Sequence, residues 1–198
     1  MQYEDKLKLW LENATEDPDL IEELESVKND EEAVADRFYK DLEFGTGGLR
    51  GVIGAGSNRM NVYTVARATQ ALSEYVCAVG GKSVAIAHDC RIKADLFAKT
   101  AARVFAASGL KVYTYSELMP TPMLSWAVRA LGCAAGIVIT ASHNPSKYNG
   151  YKAYGPDGCQ LNLDASEQVI ELAGKVDIFG GVKYTDYDQA LENGDIEI

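Results

Sequence analysis

The chain has 198 residues, 47% of them hydrophobic and 24% charged, with a net charge of −10. That length is enough for one domain with a full core. The acidity argues against bulk attraction to nucleic acid or to an anionic membrane, and no apolar run is long enough to span a bilayer. The first nineteen residues are acidic and polar and do not read as a signal peptide, so a cytoplasmic protein is expected.

The first forty residues read as helix. Asp17-Pro18 is a start signal, a cap followed by proline at the first helical position. Leu20, Ile21, Leu24 and Val27 then recur at helical spacing. Asn29 or Asp30 caps a second helix carrying Ala33, Val34, Arg37 and Phe38. This charge-rich lead, residues 1–41, is expected to be an extension lying over a domain of residues 42–198.

At Phe44 the composition changes. "FGTGGLRGVIGAG" predicts a loop able to hold phosphate, or a twisted irregular strand. Asn61 is expected to cap a helix through Val79, ended by Gly80-Gly81. "SVAIAH" and "AGIVIT" read as buried strands and "KVYTYS" as a strand, separated by the helices "ADLFAKTAARVFAAS" and "MLSWAVRAL". "YKAYGPDGCQL" reads as a hairpin around Pro156-Asp157-Gly158, and Asp164 as the cap of a last helix, Ala165 to Lys175. The acidic tail beyond is weakly patterned. The alternation predicts an α/β protein, a three-layer α/β/α sandwich with a mainly parallel mixed sheet.

Cys77, Cys90, Cys133 and Cys159 form no CxxC pair and are expected to be reduced thiols, mostly packed in the core. "VGGKS" resembles the end of a P-loop, but Val76 stands where its first glycine belongs, and the order of helix and strand is wrong. The dinucleotide fingerprint fails because Arg50 occupies the place of the third glycine.

Two stretches carry candidate chemistry. In "GTGGLRG", Thr46 and Arg50 sit among glycines whose amides can approach an anion, and Arg50 could grip a phosphate with a bidentate fork. A structural arginine in a tight turn is the other reading, and the residues leave both open.

"TASHNPSKYNGYKAY" places Ser142 just past a buried strand, where parallel α/β sheets bind ligands. A serine hydrolase fits poorly: no G-x-S-x-G surrounds Ser142, and the adjacent His143 would point away from it. A phosphorylatable serine fits better, because phosphoryl transfer needs positioning and cations more than a strong base, and Arg50, His143 and Lys152 could supply the charge. A capped turn is the plain alternative. Asn149-Gly150 could bend the chain so that Lys152 faces Ser142 and acts as an acid/base group; a solvated lysine is the alternative. Asp89 and Arg91 follow the strand "SVAIAH" and are expected to form an ion pair framing the same cleft.

Together these residues resemble the α-D-phosphohexomutase superfamily, the phosphoglucomutases and phosphomannomutases. "TASHNPSKYNGYKAY" looks like its active-serine loop and "FGTGGLRG" like an earlier family loop; "AHDCR" and "PTPMLSWAVR" also match. The match runs from about Leu42 to Leu163, and the helical lead is similar to that of the branch with phosphopentomutases.

The resemblance implies an intramolecular phosphotransferase acting on a hexose or pentose phosphate through a sugar bisphosphate. Ser142 would carry the phosphoryl group, and Mg2+ would bind one of its oxygens. Lys152 would be the acid/base group, with Thr46, Arg50 and His143 contacting the phosphate. A non-catalytic phosphosugar-binding homologue is the alternative.

The family has four domains, and its closely spaced metal-binding aspartates are not found in this sequence. The chain therefore reads as the first domain, dependent on the remaining domains of a longer polypeptide and inactive alone.

Overall fold

The computed structural model describes residues 3–198. The lead forms three helices, α1 (Glu4–Asn13), α2 (Pro18–Val27) and α3 (Glu31–Phe38). Asp17 caps α2 by accepting from the Asp19 amide, and Asp30 caps α3 by accepting from the Glu32 and Ala33 amides. Leu7, Trp10, Leu20, Leu24, Val34 and Phe38 are buried in the same core as the residues that follow.

The remaining elements are β1 (Gly48–Val52), α4 (Val62–Ala78), β2 (Ser83–His88), α5 (Ala94–Ala107), β3 (Lys111–Thr114), α6 (Thr121–Ala130), β4 (Ala135–Ile139), β5 (Tyr148–Tyr154), α7 (Leu163–Ala173), α8 (Tyr187–Glu192) and β6 (Ile196–Glu197). The sheet order is β1-β5-β4-β2-β3-β6. β4, β2, β3 and β6 run parallel, while β5 runs against both β4 and β1. This is the expected mixed sheet in three layers.

The two faces are covered unequally. Val84, Ile86, Ile137, Ile139, Leu49 and Tyr151 face the large core that also holds buried residues of α4, α5 and α7. Ala85, Ala87, Val138 and Tyr154 face a smaller cluster built on Leu124, Ala127 and Val128 of α6. α6 packs chiefly on β2 and β4, so the β1–β5 end of that face lies open.

Asn61 does more than cap α4. Its side-chain oxygen accepts from the Tyr63 and Thr64 amides, and its amide nitrogen donates to the carbonyls of Gly54 and Gly56, at 2.9 and 3.0 Å. The second half of the glycine run is thereby folded against the lead rather than opened to a ligand. Glu23 accepts from the Ala55 amide and from Arg37, and a Cβ at Gly56 would stand 2.8 Å from the Arg37 carbonyl oxygen.

Several expectations change. α6 begins at Thr121, so Pro122 lies inside its first turn, where its missing N–H costs nothing. α7 is capped by Asn162, not Asp164. The turn at Pro156-Asp157-Gly158 forms, but its second arm is a single bridge, Tyr154 to Gln160. The tail contributes α8 and β6, the latter paired with β3. Of the four free cysteines only Cys133 is buried; the other three are exposed and do not pack the core.

Candidate active site

The site is assembled where β4, β2, β5 and β1 meet. β4 ends at Ile139, opposite His88 of β2, so the segments that follow, Thr140–Ser142 and Asp89–Arg91, start side by side. Lys152 of β5 pairs with Val138 on one side and Gly48 on the other, and Arg50 pairs with Gly150. Side chains two apart share a face, so Arg50, Lys152 and Thr140 project from the face that α6 leaves open.

Glycines keep that surface flat. A Cβ at Gly150 would stand 2.6 Å from the Thr140 carbonyl oxygen, and one at Gly48 would collide with the Tyr151 carbonyl. Above them lies a cleft of about 260 Å³ lined by Thr46, Arg50, Thr140, Lys152 and Gln160, among others.

Lys152 Nζ donates to Ser142 Oγ at 2.9 Å. The two residues are ten apart in sequence and are brought together by the turns within residues 142–147; the turn expected at Asn149-Gly150 does not form, because both residues are paired inside β5 with Gly51 and Arg50. Asn149 is buried; its oxygen accepts from the Gly150 amide and its nitrogen donates to the Ile92 carbonyl, tying the start of β5 to the loop after β2.

Ser142 is exposed and has φ of 52°, a left-handed conformation that non-glycine residues seldom adopt. Its amide donates to Thr140 Oγ1 at 3.0 Å, and the Thr140 hydroxyl donates to Asp89 Oδ2. Arg91 donates to four carbonyl oxygens of the serine loop: Ser142 and Asn144 through Nη2, Pro145 and Tyr148 through Nη1, at 2.5 to 3.1 Å. The expected Asp89–Arg91 ion pair is present but loose, at 4.0 Å. The main work of Arg91 is to bind the loop, which sequence reasoning missed because its partners are all backbone.

The candidates thus divide. Ser142 and Lys152 touch, and Lys152, Arg50 and Thr46 line one cleft. His143 is exposed, and its side chain makes no hydrogen bond or ion pair to a described residue. Thr140 and Gln160 belong to the cleft and were not singled out by the sequence; Thr140 reads there as the last residue of a buried strand.

No three His, Cys, Asp or Glu side chains converge as a metal site among the described residues, and the Asp89 carboxylate already accepts from Thr140 and from the Arg91 amide. These residues do not by themselves fit a magnesium ion.

An open, cation-lined cleft at the strand ends of a three-layer α/β/α sheet, with a serine and a lysine in contact, defines the class. Residues 41–177 match the family described as phosphoglucomutase/phosphomannomutase, alpha/beta/alpha domain I, and the chain belongs to that family.

Among relatives, a probable phosphoribomutase of Schizosaccharomyces pombe is 46% identical over 128 residues, covering 63% of this chain and 22% of its own length. A phosphoglucomutase of Staphylococcus saprophyticus is 38% identical over 190 residues, covering 96% of this chain and 34% of its own. A solved structure from Thermus thermophilus, provisionally named a phosphomannomutase, is 33% identical with a TM-score of 0.65, covering 78% of this chain and 36% of that one. The chain spans no more than about a third of these relatives' lengths. No helix among the described residues is long and apolar enough to cross a membrane.

Proposed function

We propose that this chain carries the phosphoserine of a phosphosugar mutase, with Ser142 as carrier and Lys152 as acid/base group. The observation that supports it most is the 2.9 Å contact between Lys152 Nζ and Ser142 Oγ at the mouth of the cleft shared with Arg50. In the transfer, a sugar hydroxyl oxygen forms a bond to phosphorus while the bond to Ser142 Oγ breaks. The hydroxyl proton passes to a neutral Lys152 amine and from there to Oγ. A second transfer in the opposite sense, from the sugar bisphosphate back to Ser142, moves phosphate between C1 and C6 of a hexose, or C5 of a pentose.

Arg50 and Thr46 are proposed to grip the phosphate, since guanidinium forks and loop amides suit its oxygens. His143, beside the carrier and open to solvent, is proposed to contact the phosphoryl group. In this reading residues 1–41 are an extension and 42–198 the domain, acting in the cytoplasm with further domains of the same polypeptide that supply sugar contacts. Magnesium would need ligands beyond those described here, apart from an oxygen of the Ser142 phosphoryl group.

The test is intact-mass spectrometry of the protein expressed from its complete gene, before and after treatment with glucose 1,6-bisphosphate. One phosphoryl group mapped to Ser142, removable by glucose 1-phosphate, is expected. Binding of the sugar phosphate with no phosphate ever found on Ser142 would establish the non-catalytic homologue instead.

A further inference from the structure

Ser142 pays a steric cost for its left-handed backbone, and something must hold it there. Among described non-glycine residues only Lys93 shares this conformation. A residue's φ and ψ are set by the two peptide groups that flank it, and both of those groups are held. On the amide side, the Ser142 N–H donates to Thr140 Oγ1 at 3.0 Å. On the carbonyl side, the Ser142 oxygen accepts from Arg91 Nη2 at 2.5 Å.

The two holds share one anchor. Asp89 Oδ2 accepts from the Thr140 hydroxyl, while Asp89 Oδ1 accepts from the Arg91 amide at 2.9 Å. A carboxylate can only accept, so the Thr140 hydroxyl proton must point at Asp89. Its lone pairs are then left for the Ser142 amide. Thr140 is 4% exposed, so water does not compete for that oxygen.

From this geometry we infer that Thr140, oriented by Asp89, is a positioning residue: it holds Ser142 in the left-handed conformation that presents Oγ to Lys152 before any substrate arrives. Its effect is exerted through the Ser142 backbone. The inference deepens the reading of Ser142 as phosphoryl carrier and rests on it for its kinetic consequence, but not for its structural one.

The experiment compares wild type, Thr140→Val, Thr140→Ser and Asp89→Asn in the protein from its complete gene, with circular dichroism as the check on folding. The structural arm uses NMR. A left-handed residue brings its own amide and α protons close and gives a strong intraresidue cross-peak. Wild type and Thr140→Ser are expected to show it at Ser142, with a slowly exchanging amide. Thr140→Val, which has the same shape but no acceptor, is expected to lose it, with amide exchange faster by about tenfold or more, as for an exposed unbonded amide. Asp89→Asn, which frees the hydroxyl rotor while leaving Thr140 in place, is expected to move the same way.

The kinetic arm measures phosphoryl transfer. Thr140→Val is expected to lower kcat about 5- to 30-fold, the population lost when left-handed strain is no longer held. KM for the sugar phosphate should change little, and Thr140→Ser should restore kcat. An unchanged Ser142 cross-peak and amide exchange in Thr140→Val would overturn the inference. So would a Thr140→Ser protein as impaired as the valine variant, because packing and not the hydroxyl would then be at work. If wild type transfers no phosphate, the carrier reading fails while the NMR arm still decides the positioning role.

Discussion

Tyr151 and Lys152 are neighbours on β5, and they face opposite worlds. Tyr151 is fully buried on the face covered by α4 and α7, edge-on to Phe44 at 6.3 Å between ring centres. Lys152 faces the cleft that α6 leaves uncovered and reaches Ser142. One residue serves packing and the other chemistry, and a single pleat separates them. The comparison teaches that the site depends less on a special loop than on incomplete coverage of one sheet face. The same strand is core where a helix lies over it and candidate active site where none does.

Substitutions on the open face should change turnover far more than stability. The largest effect is expected from Ser142→Ala: loss of measurable turnover, with stability changed by no more than about 0.5 kcal/mol, as is usual for an exposed position. Steady-state assay with sugar bisphosphate supplied, together with urea unfolding, checks both. Near-normal turnover would end the carrier reading. Lys152→Ala comes next, with a rate about 10²- to 10⁴-fold lower, the usual span for an acid/base group, while Ser142 still accepts phosphate when given time.

Gly150 is the exception on the open face, and Gly150→Ala tests that face's floor, since its Cβ would press on the Thr140 carbonyl oxygen at 2.6 Å. A loss of about 1–3 kcal/mol is expected, as for overpacking, read as a lower urea midpoint. An unchanged midpoint would mean that the flat floor is not required.

Tyr151→Phe is the mildest change. Among the described residues the buried Tyr151 hydroxyl finds no hydrogen-bond partner, and burial pushes its phenol well above the ordinary 10.0, the nearby Thr69 side chain acting in the other direction. Removing an unpaired hydroxyl should leave stability near pH 7 unchanged or raised by up to about 1 kcal/mol. The pH dependence has a definite sign. The folded state holds the phenolic proton more tightly than the unfolded chain, so this contribution is fully present below pH 10 and is lost as pH rises beyond it. The gap in urea midpoint between Tyr151→Phe and wild type should therefore widen in favour of the variant between pH 8 and pH 11. A gap independent of pH would show that the phenol is not the titrating group.

Much of this was legible in the sequence, for local reasons. Asn61 and Asp17 announce their helices because a cap is a contact over two or three residues. Ser142 and Lys152 were legible because a buried strand, a break and a second strand fall in one short segment, although the chain turns at residues 142–147 and not at Asn149-Gly150 as expected.

What was not legible depends on distant partners. β6 is two residues long and exists through its pairing with β3, so it has no periodicity to read. Arg91 lies more than fifty residues from the carbonyls it holds. The second half of the glycine run looked fit for an anion, yet it is occupied by Glu23 and Arg37, which no pattern within residues 44–56 could reveal.

Arg50 and Gly150 face each other across a strand pair while standing a hundred residues apart. A ribosome adds roughly 5–20 residues per second, so β1 emerges about 5 to 20 s before β5 exists to pair with it. For that interval the glycine-rich segment has the lead helices for company but no strand beside it, and half of the cleft is a promise held by a nascent chain. Ribosome-bound chains stalled before Tyr148 should leave the Leu49 and Gly51 amides, which point at β5, open to exchange, and release past Tyr154 should close them.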